Sequence, residues 1–480
     1  MTTYATSVVP ARETVDKVQA SFLDWLAAED TTRQRRYRTY REYYDGDHDT
    51  QLSKRQRRYL QIKMGEEFNA NYCQIVVDAL AERLEVTGFE AGGQSQIIWD
   101  WWKQARMDGV QGIVHLAAVR DGDAYVMVEW DNEEERLRFS YELGYDGTEG
   151  VKIHYDPERR RVPLFASKRW RVEQGPDAGK VRRLNLYHPN RIEKYVSRED
   201  EFEGNWQRYE EGDEGWPLWW TRDGAEGGEP LGVPVVHFRN KDEGYNYGQS
   251  ELRNVVPLQN ALNKSIIDLL AAADTTAFRI YWMIGDDPSS LELSAGTWVY
   301  TKRPPGGDNG AAVGFFPGED LDPMIRLVDS FELRIAKVTR TPISYFQISR
   351  QRAAEGTLKQ EEAGLVAKAK DRHVSFGNAW EDAIQVARRI WNTFGEGPEL
   401  DEEQTVETLW ADAETRNEKE HLEALAVKRE KLGVPQEQIW LEAGYGPEQV
   451  EKMKGSDEVQ GRQAMMDLAR RGLGVGESGD

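Results

Sequence analysis

An α+β chain built from several structural regions is what this sequence predicts, and three observations predict it. Apolar residues recur at helical spacing towards both ends of the chain. Short alternating segments bounded by Gly, Pro, Asp and Asn fill the stretch from about 120 to 240. The length, 480 residues, exceeds the roughly 250 to 300 at which a single core stops growing.

The elements follow in order. Phe22, Trp25 and Leu26, then Tyr37, Tyr40 and Tyr44, mark two helices with Asp30 as a cap between them and Gly46 as a stop. Asn71 caps a helix carrying Ile75, Val76, Ala79 and Leu80, which Gly88 is expected to end, and a Trp-rich helix then passes through Trp99 and Trp102. After Asp121 and Gly122 the period changes to two. Ala124–Trp130, Leu137–Tyr141, Val151–Tyr155, Phe165–Val172 and Arg182–Tyr187 read as antiparallel strands, and Arg198–Pro230, with Trp206, Trp216, Trp219 and Trp220, as a surface excursion with aromatic anchors.

From Ser250 the pattern is helical again. Leu252, Val255, Leu262, Ile266, Leu269 and Ala273 form one stripe, and Pro257 kinks that helix or starts a second one. Thr297–Lys302 and Ala312–Phe316 read as strands of a compact insertion. Asp322 is then expected to cap a helix with Pro323 at its first position, which Thr341-Pro342 stops. Ile343–Gly356 lacks a period. Thr357 and Gln360 match a capping box, and the stripe from Leu358 to Phe394 predicts a helix of about 55 Å, bent near Gly364 and Gly377. Asp412 or Thr415 opens a shorter helix closed by Gly433, Pro435 and Pro447 each start another, and Arg471–Asp480 reads as a frayed tail.

Composition limits the function. Lys and Arg total 62 against 84 acidic residues, a formal charge of −22, which excludes a protein that coats itself on phosphates. Cys73 is the only cysteine, so intramolecular disulfides and zinc ribbons are excluded. The absence of an apolar run near 18 residues and of a signal-like start predicts a soluble, untargeted protein with no membrane partner.

No catalytic pattern survives inspection. Gly175–Lys180 lacks the spacing of a phosphate loop and has Val181 in place of the magnesium-binding hydroxyl, so it reads as a hairpin turn. Gly248-Gln-Ser250 begins like a nucleophile elbow, but Leu252 replaces the second glycine and Ser250 suits a helix cap. Asp45, Asp47 and Asp49 alternate as in a calcium loop, but Thr50 and Gln56 stand where Gly and Glu belong, leaving a solvated turn or a weak cation site. The seven histidines share no ligand spacing. No catalytic residue, metal or cofactor is expected.

The helix, insertion, helix, loop, long-helix order carries a resemblance. Gly248-Gln-Ser-Glu-Leu252, Leu258-Gln-Asn-Ala-Leu-Asn-Lys264, Ala295-Gly-Thr-Trp298 and Ala354-Glu-Gly-Thr-Leu-Lys359 resemble the portal proteins of siphovirus-like tailed phages. Tyr43–Gly46, Asn71–Asp78, Gly88-Phe89 and Asp121-Gly-Asp-Ala-Tyr125 are similar to the same family's wing, so the likeness spans nearly the whole chain.

That resemblance implies a portal fold assembled as a ring, usually of twelve copies, around a channel at one capsid vertex. It implies a wing at 1–249, stem helices at 250–279 and 320–340, and a clip at 280–319. A tunnel loop at 341–356, a long kinked helix at 357–395 and a crown with a flexible tail at 396–480 complete the division. The implied partners are the packaging terminase, the head-tail adaptor, the major capsid and scaffolding proteins, and double-stranded DNA passing non-specifically. The implied location is the virion, with the host cytoplasm during assembly. Tyr345, Phe346, Gln347, Arg350, Arg352 and Lys359 become candidates for proximity to DNA, although Tyr345 and Phe346 equally suit packing of the loop against its neighbours. Trp298, Tyr300, Lys302, Arg303 and Phe315 become candidate partner contacts of the clip. An acidic channel wall with sparse cationic rings lets a duplex slide. Two other classes compete: a virion adaptor without a channel, and a carbohydrate-active hydrolase that would account for 16 Trp and abundant carboxylates.

Overall fold

The structure, a computed structural model, describes residues 26, 31–63, 70–175, 178–198, 206–210, 215–277, 281–285, 298–302, 312–315, 320–346, 355–414, 418–443, 445, 449–450 and 452–454. Leu26 is the only described residue of the first expected helix, whose Phe22, Trp25 and Asp30 cap lie outside. Pro447 and the tail also lie outside.

Three helices open the described chain: α1 (Thr31–Asp45), α2 (Lys54–Lys63) and α3 (Tyr72–Ala81). Asn71 caps α3 as expected, its side chain accepting from the Gln74 N–H at 3.3 Å. Gly88 does not end that helix. It lies inside β1 (Val86–Glu90), which pairs antiparallel with β14 (Glu407–Trp410), a strand more than 300 residues away. Neither strand carries a periodic signal of its own, because each is short and is held by its partner.

Helices α4 (Ser95–Gln104) and α5 (Met107–Asp121) lead to β2 (Asp123–Asp131) and β3 (Arg136–Leu143). With β10 (Val235–Arg239) these form a three-stranded antiparallel sheet in which β2 is central. The expected alternation fails in β2. Residues 123–128 are all buried, because the strand packs against both α5 and the long helix α8 (Glu355–Phe394). Six strands form a second sheet: β4 (Gly150–Tyr155), β5 (Pro163–Arg171), β6 (Arg182–Tyr187), β7 (Arg191–Ser197), β8 (Gln207–Arg208) and β9 (Leu218–Trp219). Gly175–Lys180 joins β5 to β6, with the Gly179 N–H donating to the Val172 carbonyl at 2.7 Å. In the excursion after β7, Trp206 and Trp220 are buried, and the Trp216 and Trp220 indoles donate to the Lys194 and Gly232 carbonyls.

A one-turn 3-10 helix (Glu251–Asn254) precedes α6 (Val256–Ala277), so Pro257 sits at the start of a second helix. Next come β11 (Tyr281–Gly285), β12 (Trp298–Lys302) and β13 (Ala312–Phe315), a sheet of order β12-β11-β13 with β11 parallel to β12 and antiparallel to β13. α7 (Asp322–Thr339) then returns against α6. Asp322 does not cap α7. It is the first helical residue after Leu321, and the Asp320 carboxylate accepts its N–H at 3.0 Å. Thr357 and Gln360 form no capping box, because α8 already runs from Glu355. α8 is 40 residues long, about 60 Å at 1.5 Å per residue.

Residues 400–413 do not separate from the rest. Leu400, Val406 and Ala413 join one continuous core with α1, α3, α5, the β2 sheet and the inner face of α8. Its centre is aromatic, with Phe238, Phe376 and Trp380 fully buried, each worth roughly 1.5 to 3 kcal/mol in transfer terms. A smaller cluster of Leu26, Phe165, Leu184, Leu186, Tyr195 and Trp206 covers the six-stranded sheet. Helices α9 (Glu418–Leu432) and α10 (Gln436–Glu442) follow, and the described residues 449–450 and 452–454 beyond them are also helical.

Candidate functional site at the base of the helical hairpin

The turn-rich sequence motifs meet at the root of the α6–α7 hairpin. The Asn240 N–H donates to the Gly122 carbonyl at 2.9 Å, and the Gln249 N–H donates to the Asn240 carbonyl at 2.8 Å. A Cβ on Gly248 would lie 2.2 Å from the Gly122 oxygen, and one on Gly122 would lie 2.8 Å from the Ser250 nitrogen. Two stretches more than 120 residues apart thus touch backbone to backbone, an approach that only glycine permits. Ser250 caps the turn beginning at Glu251, its Oγ accepting from the Leu252 N–H at 2.9 Å, and donates that hydroxyl to the Arg120 carbonyl. It is a structural hydroxyl and not a nucleophile.

Above this junction lies a buried ionic cluster. Glu251, only 3% exposed, accepts from Lys368 Nζ and Arg372 Nη2, each at 2.8 Å, and lies 3.3 Å from Lys241 Nζ. Burial opposes ionisation of Glu251, but the Lys368, Lys241 and Arg372 charges outweigh it and hold the carboxyl down at about 2. Arg372 Nε also donates to Asn240 Oδ1 at 2.6 Å, and Lys368 Nζ to the Thr339 carbonyl at 2.7 Å. The second ammonium contact satisfies a carbonyl in the last turn of α7 and complements its negative end. One carboxylate therefore ties the β2 sheet, the start of the hairpin, the end of α7 and the long helix α8 together. The cluster opens into a cleft of about 700 Å3 edged by Arg161, Arg340, Val338 and Val374.

The hairpin is also gripped from the side. Asn263 accepts from the Ala70 N–H at 3.1 Å and Gln259 from the Tyr72 N–H at 3.1 Å, while Asn263 Nδ2 lies 2.8 Å from His48 Nδ1. Further along α6, Asp268 accepts from Gln56 and Asp274 from the Tyr59 hydroxyl. These contacts, with the Tyr43 hydroxyl donating to Asn260 Oδ1 at 2.9 Å, explain why Gln259, Asn260 and Asn263 interrupt an otherwise apolar helix: they satisfy the backbone and side chains of the wall that holds it. Asp45, Asp47 and Asp49 are exposed beside this wall, while His48 turns inward. Among the described residues, no three His, Cys, Asp or Glu side chains are placed to share a metal ion.

The sequence candidates fall in different places. The Tyr345 hydroxyl is within 3.3 Å of Arg83 Nη2, and the Phe346 ring lies tilted 5.6 Å from that of Tyr72, so both contact the helical wall. Tyr72 in turn donates to Glu332 of α7 at 2.6 Å. Gln347, Arg350 and Arg352 lie outside the described residues, and Lys359 is placed only by its position in the first turns of α8. Trp298, Tyr300 and Lys302 occupy β12, Phe315 ends β13 with half of its surface exposed, and Arg303 lies outside the described residues. Sequence reasoning missed Glu251, Lys368 and Arg372. Their signal was charged residues on the apolar stripes of two helices, and only tertiary contact distinguishes those from a solvated face. Among the described tryptophans, Trp101, Trp102 and Trp380 are core residues, and Trp391 packs on Trp101.

The sequence matches known proteins along most of its length. The model of the family described as phage portal protein, SPP1 Gp6-like, matches residues 23–458. The portal proteins of Mycobacterium phages L5 and D29 are each 22% identical over 82% of this chain and 79% of their own length. A chain from the neck of an empty gene transfer agent particle aligns with a TM-score of 0.45 at 11% identity, covering 80% of this chain and 94% of that one. A chain from the native gene transfer agent virion aligns with a TM-score of 0.41 at 12% identity, covering 78% and 90%.

Proposed function

We propose, for a chain that belongs to the SPP1 Gp6-like phage portal protein family, that α6 and α7 wall the channel of a closed ring and that the sheet at their tip meets the proteins that dock there. The family role is structural, that of a connector in the phage particle, and not enzymatic. Among the described residues, no helix is long and apolar enough to cross a membrane.

The observation that carries the ring is α7. Its inner face packs on α6, yet Ile325, Leu327, Leu333 and Val338 are 42% to 51% exposed, far more apolar surface than an isolated helical hairpin keeps in water. The tip sheet has the same property, with Val313 and Phe315 more than half exposed on a sheet of three short strands. Neighbouring copies covering these faces through a heterologous contact that closes generate a ring. Its expected number is twelve.

In this reading residues 1–249 form the wing, 250–279 and 320–340 the stem, and 280–319 the clip. Trp298, Tyr300, Lys302, Arg303 and Phe315 then face terminase and later the head-tail adaptor. Residues 341–356 form the tunnel loop, in which Tyr345 and Phe346 anchor the base while Gln347, Arg350, Arg352 and, one turn on, Lys359 approach the duplex. The long helix 357–395 leads to a crown after 396, and capsid and scaffolding proteins surround the ring. Assembly takes place in the host cytoplasm and the product occupies the capsid vertex. The net charge of −22 suits a wall past which DNA slides without being held. Negative-stain micrographs of the purified protein test this reading: rings with a central hole are expected, and a chain that stays monomeric at high concentration overturns it.

A further inference from the structure

The cleft above Glu251 has a charge pattern that the chain itself does not satisfy. Five cationic and four acidic side chains line it. Arg161 pairs with Asp242, Glu243 is engaged by Gln249, and Asp371, the remaining acid besides Glu251, is exposed at the opening. At the floor, Lys368, Arg372 and Lys241 share the single carboxylate of Glu251. At the rim, the Arg340 side chain has no hydrogen bond or ion pair among the described residues, its backbone N–H alone donating to the Ala336 carbonyl. Arg340 also holds a left-handed backbone, φ 54°, at the end of α7, where glycine would be cheaper. The exposed aliphatic side chains of Val338 and Val374, at 51% and 65%, flank the opening. A recessed cationic floor with an aliphatic rim fits a carboxylate carried beside an aliphatic side chain. It does not fit a duplex phosphate, which is met by protruding lysines and arginines and not by ones already buried on a carboxylate.

The chain displays such a pair on α7. The Asp329 carboxylate is exposed with no hydrogen bond or ion pair among the described residues, and Leu333, 42% exposed, lies one turn further along the same helix face. Asp329 and Arg340 are 11 residues apart, about 16 Å along the helix, so a roughly parallel neighbour displaced by that distance brings acid to base. The two patches differ, as a heterologous ring contact requires.

We propose that Asp329 and Leu333 of one copy seat in the cleft edged by Arg340, Val338 and Val374 of the next. This rests on the ring reading above. The experiment compares the full chain with Asp329→Lys, Arg340→Glu and the double exchange, by mass photometry across a concentration series, with circular dichroism melting to show that each folds. Both sites are at the surface, so the fold is expected to survive. Each single reversal is expected to raise the concentration needed for half-assembly by about tenfold or more, and the double exchange to recover most of that loss. Single variants that assemble like the natural protein, or a double exchange no better than the singles, overturn this contact while leaving rings intact. A natural protein that never forms rings overturns the ring reading and this contact together.

Discussion

The Trp380 indole donates to Nε2 of His115 across 2.9 Å, with both side chains fully buried. An indole N–H only donates, so Nε2 accepts and the imidazole proton sits on Nδ1, which donates to the Leu84 carbonyl at 2.8 Å. His115 is therefore neutral, and burial pulls it down from 6.5 to about 4. His237 follows the same logic. Its Nε2 donates to Asp123 at 2.7 Å, its Nδ1 accepts the Tyr155 hydroxyl at 2.6 Å, and burial again outweighs the carboxylate and lowers it to about 4.

A pH dependence of stability follows. The unfolded chain binds protons at these histidines near 6.5, whereas the folded chain resists until about 4. Their contribution is complete above roughly pH 6.5 and is lost as pH falls towards 4, at about 3 kcal/mol for each. Glu251 adds a second loss between 4.5 and about 2, where its depressed carboxyl finally protonates. Urea unfolding from pH 7.5 to pH 4 should show the midpoint falling through this window. A flat profile would contradict the neutral assignment.

Trp380→Phe keeps most of the ring packing but removes the donor to His115. A buried acceptor left unpaired costs about 1 to 3 kcal/mol, and the thermal midpoint should fall accordingly.

Glu251→Gln removes the carboxylate that Lys368, Arg372 and Lys241 share and leaves Lys368 and Arg372 buried without their counter-charge. A loss of about 3 to 5 kcal/mol is expected. The control is Lys370→Ala, which breaks the exposed pair with Glu414 and should cost under about 1 kcal/mol. Equal melting shifts for the two variants would show that the cluster does not hold the hairpin.

Gly248→Ala places a methyl group 2.2 Å from the Gly122 oxygen. The junction cannot close around it, and recovery of folded protein should collapse. Gly93→Ala, whose Cβ meets nothing within 4 Å, should fold normally and serves as the control.

Arg350→Glu with Arg352→Glu probes the loop reading. Ring formation should be unchanged, while the amount of DNA packaged per particle should fall if these side chains meet the duplex. Phe346→Ala, which strips the contact with Tyr72, should instead lower the melting temperature.

Much of the architecture was legible because it rests on local chemistry. Asn71 and Ser250 cap helices through their own side chains, Gly46 and Gly433 follow helix ends, and the part of the long-helix stripe from Leu365 to Ile390 faces one core. Each is decided within a few residues by hydrogen bonding or by the 3.6-residue period. The errors lie where a distant partner decides. Gly88 is a strand residue because Leu409 pairs with it, and β2 lost its alternation because helices cover it.

The sequence by itself determined the order of helices, sheet and insertion, the acidic balance and, through its motifs, the family. Only the tertiary structure decided that Glu251, Lys368 and Arg372 form one buried joint and that the glycines at 122 and 248 touch. The reason is physical. Periodicity records which face of an element avoids water, whereas a charge on that face is stable only beside a counter-charge, whose position the chain acquires on folding.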